Sequence, residues 1–298
     1  MKKPATWLVV GGDGLIGGRL AVEAKHFAGS VVASCLQPNP NSGMISLDLT
    51  TGDNRALTAV KPDVAFLCAA ITAMQFCQDN PDLSRRTNVT GTLRLASELL
   101  QSGCFIIFLS SNTVFDGNIV RPNEDSLYCP TTEYGRQKVS VEQQLLALSG
   151  NSGAVAIVRL SKVVAPGSAM VAEFTKLLKA GKPCAAFNDL RMSPVSLSYV
   201  TDALLAIAQS KQSGIFHLSG AEEMTYAEFA SHLASSLGAD AGLVRPISSE
   251  AAGVGVLFRP QHPALGMKRT SELLRIFPEP TEHFYKQMIE GALVRGRQ

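Results

Sequence analysis

A short apolar run, Thr6-Trp-Leu-Val-Val10, leads directly into Gly11-Gly-Asp-Gly14-Leu-Ile-Gly17-Gly-Arg-Leu20, and no other stretch constrains the fold as tightly. Residues rich in β-formers, then glycines at three-residue spacing, then apolar positions at Leu15, Ile16, Leu20 and Ala24 predict a strand, a tight turn and a helix. Glycine has a physical task at each of the three positions. It lets the backbone turn sharply, lets it approach a pyrophosphate, and lets the helix pack close on the strand, while the helix N-terminus meets the negative charge. A dinucleotide is therefore expected at Gly11, Gly14, Leu15, Ile16 and Gly17.

The rest of the chain repeats the alternation. Strands are expected at 30–34, 44–49, 64–68, 105–109 and 154–160, with a helix from Asn80-Pro81 to about Ser102 and another after Thr131. Asn80 reads as the cap of its helix, with Pro81 in the first turn where a missing N–H costs nothing. This order predicts an α/β fold with a doubly wound parallel sheet of Rossmann type. Residues 1–160 form the dinucleotide-binding domain in this reading, and 161–298 a smaller mixed α/β lobe with segments that return to the sheet. Within that lobe, 161–167 reads as a loop, 170–179 as a helix, 182–188 as a strand and 191–196 as a polar bend. Then follow a helix at 198–210, a strand at 214–218, a capped helix at 225–237, and a last helix after Thr281.

Composition removes several classes of function. With 298 residues, 46% apolar and 17% charged, the chain has length and hydrophobicity for a globular enzyme. A net charge of +2 and no basic run longer than Lys2-Lys3 argue against a nucleic-acid partner. The longest apolar stretches, such as 104–109, are strand-sized and far short of the ~18 residues of a membrane helix. Lys2-Lys3 and the apolar run behind it imitate the start of a signal segment, but Gly11, Gly12 and Asp13 cut it short, so a cytoplasmic protein is expected. Six cysteines without a Cys-x-x-Cys pair read as reduced, buried thiols, and no metal site is assigned.

Chemistry is expected at Tyr134-Gly-Arg-Gln-Lys138, read with Ser111. On a helix, residues four apart share a face, so a phenol and an ammonium can serve one site. A phenol ordinarily titrates near ~10, and a nearby cation favours its ionised form, moving it toward a value useful for acid/base work. Ser111 ends an expected strand, where ligands of open α/β sheets bind, and its hydroxyl can hold a carbonyl oxygen beside the phenol. The small residues Ala69 and Ala70 end another strand and can lie against a flat cofactor group or simply pack close. Asn88 falls in mid-helix, so it either faces outward or makes a specific hydrogen bond. No acid stands about 20 residues past the glycines, where an NAD site places one. With Arg19 as a candidate for a 2′-phosphate, NADP is preferred slightly over NAD.

Taken together, these features make a chain that resembles the extended short-chain dehydrogenase/reductase superfamily. The ordered signals are Gly11-x-x-Gly14-x-x-Gly17, Asp48-Leu49, Lys61-Pro-Asp63, Ala69-Ala70, Asn88-Val-x-Gly91-Thr92, Ser110-Ser111, Tyr134-x-x-x-Lys138 and Arg159-Leu-Ser161. Val114-Phe-Asp-Gly117, Phe216-His-Leu-Ser-Gly220 and Arg259-Pro260 make it most similar to the dTDP-4-dehydrorhamnose reductase group and its sugar-nucleotide-binding relatives. The resemblance implies Ser111, Tyr134 and Lys138 as catalytic residues, with Lys138 also on the nicotinamide ribose. It implies Gly11, Gly14 and Gly17 at the pyrophosphate, Asp48 and Leu49 at the adenine, and Ala69 and Ala70 at the middle of the cofactor.

The activity so implied is NAD(P)H-dependent reduction of a nucleotide-linked 4-keto sugar. Asn112 and Thr113 stand where the reductases have Asp-Tyr and the sugar dehydratases Asp-Glu, which disfavours dehydration and marks both as substrate-reading positions. Gln75 stands near a position that is commonly acidic in the group. Arg191 and Arg259 are candidates for the substrate diphosphate, because guanidinium grips such oxygens in a fork; each reads equally well as a surface arginine paired to a local carboxylate. Two other readings stay open: a non-catalytic nucleotide-binding subunit like the regulatory subunit of methionine adenosyltransferase, and an epimerase that retains its NAD. Oligomeric state is open too, with a homodimer among the candidates.

Overall fold

The computed structural model describes residues 5–150 and 153–295, so Lys2 and Lys3 lie outside the described residues. In chain order the strands are β1 (Thr6–Val10), β2 (Ser30–Cys35), β3 (Ile45–Ser46), β4 (Val64–Leu67), β5 (Phe105–Ser111), β6 (Val155–Leu160), β7 (Lys162–Val164), β8 (Cys184–Phe187), β9 (Arg191–Met192), β10 (Pro194–Ser196), β11 (Gly214–Leu218), β12 (Met224–Thr225) and β13 (Val244–Ile247). The helices are α1 (Leu15–Glu23), α2 (Arg55–Thr58), α3 (Met74–Asp79), α4 (Pro81–Arg85), α5 (Thr92–Gln101), α6 (Glu133–Ser149), α7 (Ala169–Lys179), α8 (Leu197–Ser210), α9 (Tyr226–Ser236), α10 (Lys268–Leu274) and α11 (Thr281–Arg295).

Among the described residues, seven strands form one sheet in the order β11-β6-β5-β4-β1-β2-β3, with every neighbouring pair parallel. The chain builds outward from β1 in one direction through β2 and β3, then returns to β4 and builds the other way. The order therefore reverses between β1 and β4, and a crevice opens beyond their carboxyl ends. The expected strand at 214–218 is the seventh, on the outer edge beside β6.

Alternation along the strands feeds a core on each face. Trp7 and Val9 of β1 join Phe66, Leu20 of α1 and Leu204 of α8 on one side. Leu8 and Val10 join Leu67, Leu95 and Leu99 of α5, and Val141 and Leu145 of α6 on the other. A third core gathers α7, α9, α11, β8 and β13 around Val171, Cys184, Phe229, Leu233 and Phe284. Among the described residues no helix is long and apolar enough to cross a membrane.

Several local expectations need correction. The strand expected at 44–49 pairs only at Ile45–Ser46, because the Asp48 carboxylate accepts the Thr50 N–H at 2.8 Å and hydroxyl at 2.7 Å and turns the chain away. The helix expected from Asn80 to Ser102 is continuous but carries one π turn, Arg86–Gly91, and it is preceded by α3, which the sequence reading missed. Asn80 does not cap it through its side chain; Asn80 Nδ2 donates to the Phe76 carbonyl at 3.2 Å and closes α3 instead. The loop at 161–167 contains β7, and the bend at 191–196 is two short strands, β9 against β12 and β10 against β7. Periodicity could not show these, since two or three residues are too few to display it.

The glycine turn shows why its composition is fixed. A Cβ on Gly17 would stand 2.0 Å from the Gly11 carbonyl oxygen, so α1 can lie this close to β1 only without one. Replacing Gly17 by Ala must push α1 off β1. Urea unfolding of Gly17→Ala without dinucleotide is expected to show a loss of about 1–3 kcal/mol, the range for overpacking; an unchanged midpoint would show that the turn is not under this constraint.

Candidate functional site

Helix α6 brings the phenol to the strand tips. Thr132 caps it, its hydroxyl accepting the Gly135 N–H at 3.0 Å, and acidic Glu133 stands in the first turn, where the helix dipole favours it. A Cβ on Gly135 would stand 2.2 Å from the Thr113 carbonyl oxygen, so glycine lets the first turn of α6 touch the 3₁₀ turn Asn112–Val114 that follows β5. As a result Tyr134 and Ser111 line one cavity of about 490 Å³, together with Asn112, Thr113 and Arg191. Ser111 Oγ accepts the Thr113 N–H at 3.2 Å, and Asn112 Nδ2 donates to the Pro263 carbonyl at 3.1 Å.

Lys138 sits one helical turn from Tyr134, as its spacing requires, but the electrostatics differ from the sequence expectation. Its Nζ donates to the Leu109 carbonyl at 2.8 Å, lies 4.6 Å from the Phe108 ring centroid and 5.6 Å from that of Tyr134. Burial pushes the Tyr134 phenol above its ordinary value, with the nearby Cys77 thiol adding to the rise. Burial likewise lowers the Lys138 amine to about 8, against the pull of Glu142. The phenol is thus held neutral at pH 7: desolvation outweighs the neighbouring cation.

A second cavity of about 490 Å³ fills the switch-point crevice and is lined by Gly11, Gly14, Asp48, Leu49, Ala69 and Ala70. Three features fit a dinucleotide there. The α1 N-terminus opens without a side-chain cap or an acid in its first turn, so its N–H groups can meet phosphate. Gly17 leaves the close approach just described. Ser34 Oγ, wholly buried at the β2 end, has no hydrogen-bond partner among the described residues and lies on the crevice wall. The side chains of Leu15, which is exposed, and Ile16, which packs on the core, do not line this crevice; the first turn offers backbone instead. Arg19 is turned away from it. It pairs with Glu23 at 2.9 Å and lines a small cavity with Ser196 and Gln287, so it lends nothing to a 2′-phosphate site.

The wall between the two cavities is the segment after β4, where Ile71 lines one and Thr72 the other. Asn88 holds it. Its Oδ1 accepts the Ile71 N–H at 2.7 Å, and its Nδ2 donates to the Ile71 carbonyl at 2.9 Å and to Gln137 Oε1 at 2.8 Å. The π turn aims this buried amide inward, which resolves the two options its mid-helix position left.

Of the two arginines, the structure brings only Arg191 to the cavity, with Glu223 at 3.7 Å. Arg259 is not on its wall: the guanidinium faces Asp189 at 3.3 Å, a carboxylate already anchored on Ser249, so the local-carboxylate option holds for it. Gln75 is exposed and donates to Asp79 at 2.8 Å. Sequence reasoning missed Ser161, Lys162, Tyr226 and Phe258, which also line the cavity. Only Ser161 carries a local mark, as the end of Arg159-Leu-Ser161, and the four come from three separate segments, so their spacing does not join them into a site. It also missed what seats α6, the buried pair Glu142 and Arg159. Arg159 Nη2 lies 2.7 Å from Glu142 Oε2, while Glu142 also accepts the hydroxyls of Ser110 and, at 3.0 Å, Tyr128. His217 Nε2 lies 3.2 Å from Arg159 Nη1 and its Nδ1 2.7 Å from the Gly266 carbonyl. Burial, reinforced by Arg159, lowers His217 to about 3, so the neutral ring donates from Nδ1 to Gly266 and accepts from Arg159 at Nε2. Among the described residues no cluster of His, Cys, Asp and Glu could hold a metal.

The chain is similar to known proteins along most of its length. The family described as the RmlD substrate binding domain matches residues 5–293. Among similar curated proteins are the methionine adenosyltransferase 2 subunit beta of Xenopus laevis, 28% identical over 280 residues, which cover 89% of this chain and 81% of that protein, and the dTDP-4-dehydrorhamnose reductase of Streptomyces griseus, 29% identical over 272 residues, which cover 88% and 86%. The crystal structure of dTDP-4-dehydrorhamnose reductase from Bacillus anthracis in complex with NADP shares the fold, with a TM-score of 0.84 at 20% identity over 97% of this chain and 99% of that one.

The ion pair yields a test. Arg159→Leu strands the Glu142 charge in the core and is expected to cost about 3–5 kcal/mol in urea unfolding. The double variant Arg159→Leu with Glu142→Leu is expected to recover part of that loss, and strict additivity would rule out the coupling.

Proposed function

Because the chain belongs to the RmlD substrate binding domain family, we propose that it is an NAD(P)H-dependent reductase of a nucleotide-linked 4-keto sugar. The observation that carries this reading is that Ser111 and Tyr134 line one cavity at the strand tips, beside a crevice suited to a dinucleotide. Relatives named dTDP-4-dehydrorhamnose reductase and dTDP-4-keto-6-deoxy-D-glucose reductase support it. Ser111 and Tyr134 on one cavity wall, with Lys138 one helical turn from the phenol, support turnover over mere binding, and Asn112-Thr113 offers no acid/base pair for dehydration.

Backbone at Gly11, Gly14 and Gly17 would hold the pyrophosphate, Asp48 and Leu49 the adenine end, Ala69 and Ala70 the middle, and Lys138 the nicotinamide ribose. A reduced nicotinamide held there would supply the hydride for the keto carbon. Tyr134 then has one task, to deliver its phenolic proton to the oxygen as charge develops there, and its burial keeps that proton in place until then. Ser111 Oγ–H holds the same oxygen, and Asn112, Thr113 and Arg191 meet the sugar and its diphosphate. Thr113 Oγ1 is buried on the cavity wall without a partner among the described residues, which supports its pairing with a substrate oxygen. Lack of an acid after β2, where Cys35-Leu36 line the crevice, supports NADP without excluding NAD. Free thiols at all six cysteines accord with a cytoplasmic setting.

Two measurements test the reading. Tyr134→Phe is expected to lower kcat for keto-sugar reduction by about 10²–10⁴-fold, with NADPH affinity, followed by its fluorescence, retained; full activity would sink the assignment. The second is a pH profile. The Lys138 amine is charged below about 8 and neutral above it, while Tyr134 stays protonated throughout. Activity is therefore expected to fall as pH rises through that value, and Lys138→Arg, charged at every accessible pH, is expected to lose that alkaline limb.

A further inference from the structure

The cavity that holds Ser111 and Tyr134 is lined by two cations, Lys162 and Arg191, and by no carboxylate. Such a surface is built for an anion. The two cations are not equivalent. Arg191 has Glu223 3.7 Å away, and Glu223 also accepts the Ala264 N–H at 3.0 Å. Lys162 lines the cavity, where burial lowers its amine from the ordinary value, and among the described residues it forms no ion pair.

The residue before it adds an independent mark. Ser161 is 7% exposed, and its N–H is already given to the Leu218 carbonyl at 3.0 Å. Its Oγ, on the same cavity wall, has no hydrogen-bond partner among the described residues. A buried hydroxyl left so is costly, and the partner that would satisfy it is an oxygen of whatever enters the cavity.

Location decides which part of a substrate these two would meet. Leu160, the last residue of β6, is the register partner of Ser111, and Ser161 and Lys162 follow it directly into β7. They leave the sheet beside the reacting hydroxyl. Arg191 instead belongs to β9, in the short antiparallel pair with β12. The cation for a diphosphate and the cation near the reacting ring are thus supplied by different elements.

We propose that Ser161 and Lys162 form a carboxylate subsite, so that the substrate is a nucleotide-linked 4-keto sugar bearing an acid group on its ring. This rests on the reductase reading above. An ammonium and a hydroxyl on adjacent residues supply the charge-assisted bonds that a carboxylate takes, and a neutral sugar would leave the ammonium unanswered.

Calorimetric titration of the full chain, with NADP⁺ bound, against dTDP, dTDP-glucose and dTDP-glucuronate tests it without requiring turnover. The glucuronate is expected to bind at least about tenfold more tightly than the glucose compound, the scale of one charged hydrogen bond. Lys162→Met is expected to abolish that preference, Ser161→Ala to reduce it and Lys162→Arg to keep it. Equal affinity for the two sugars overturns the carboxylate subsite and leaves the reductase reading standing. A Lys162→Met variant that weakens dTDP itself as much as the glucuronate assigns the amine to the diphosphate and also overturns it. Binding of none of the three, nor of their UDP counterparts, overturns both readings together.

Discussion

The carboxylate of Glu142, buried beneath the strand tips, is what the site is assembled on. It takes the guanidinium of Arg159 from β6, the hydroxyl of Ser110 from β5 and the phenol of Tyr128 from the loop before α6. Arg159 passes the linkage on to His217 of β11 and to the Glu124 carbonyl at 3.3 Å. Glu124 in turn accepts the Thr270 N–H at 3.1 Å, which fixes α10. One buried charge therefore sets α6, three parallel strands and a C-terminal helix relative to one another. Since a buried ion pair contributes little net stability over an apolar replacement, its effect here is on geometry: each polar group has one arrangement in which it is satisfied. Tyr134 lies two turns before Glu142 on the same helix, so its place beside Ser111 follows from that arrangement.

The same burial that fixes the site also sets its acid/base character. From a phenol and an amine four residues apart, a lowered phenol is the natural expectation. In the folded protein the amine turns to the Leu109 carbonyl, and both groups lose water, so each is pushed toward its neutral form. A neutral phenol has a proton to give, which is the role a carbonyl reduction would ask of it.

The dinucleotide crevice obeys a different constraint, backbone proximity. Strand order reverses between β1 and β4, and the segments that follow them, Gly11 to Gly14 and Ala69 to Ile71, face each other across the gap. Asn88 reaches from the π turn to both the N–H and the carbonyl of Ile71 and on to Gln137 of α6. The two cavities thus share a wall whose backbone is held by Asn88 and by the Cys77 thiol, whose Sγ donates to the Ile71 carbonyl at 3.4 Å.

The glycine spacing, the strand–helix alternation and the Tyr134-x-x-x-Lys138 pair were legible in the sequence because each is a local pattern. Glycines answer to one turn, period-2 and period-3.6 patterns answer to one face, and a four-residue gap answers to one helical turn. These determined the doubly wound sheet, the crevice that the glycine turn lines and the place of Tyr134 on the first turn of its helix. Whatever depends on distant segments meeting was decided only by tertiary structure. Arg191 and Arg259 look alike in sequence, yet Asp189 occupies one while the other reaches the cavity. Asn88 could have faced out, and the π turn brings it in. Ser161 ends the Arg159-Leu-Ser161 signal and Lys162 carries none, yet neither is marked as a cavity residue until the strand register sets them beside Ser111. The physical reason is the same in each case: propensity and periodicity are properties of neighbours along the chain, whereas desolvation and hydrogen-bond satisfaction belong to neighbours in space.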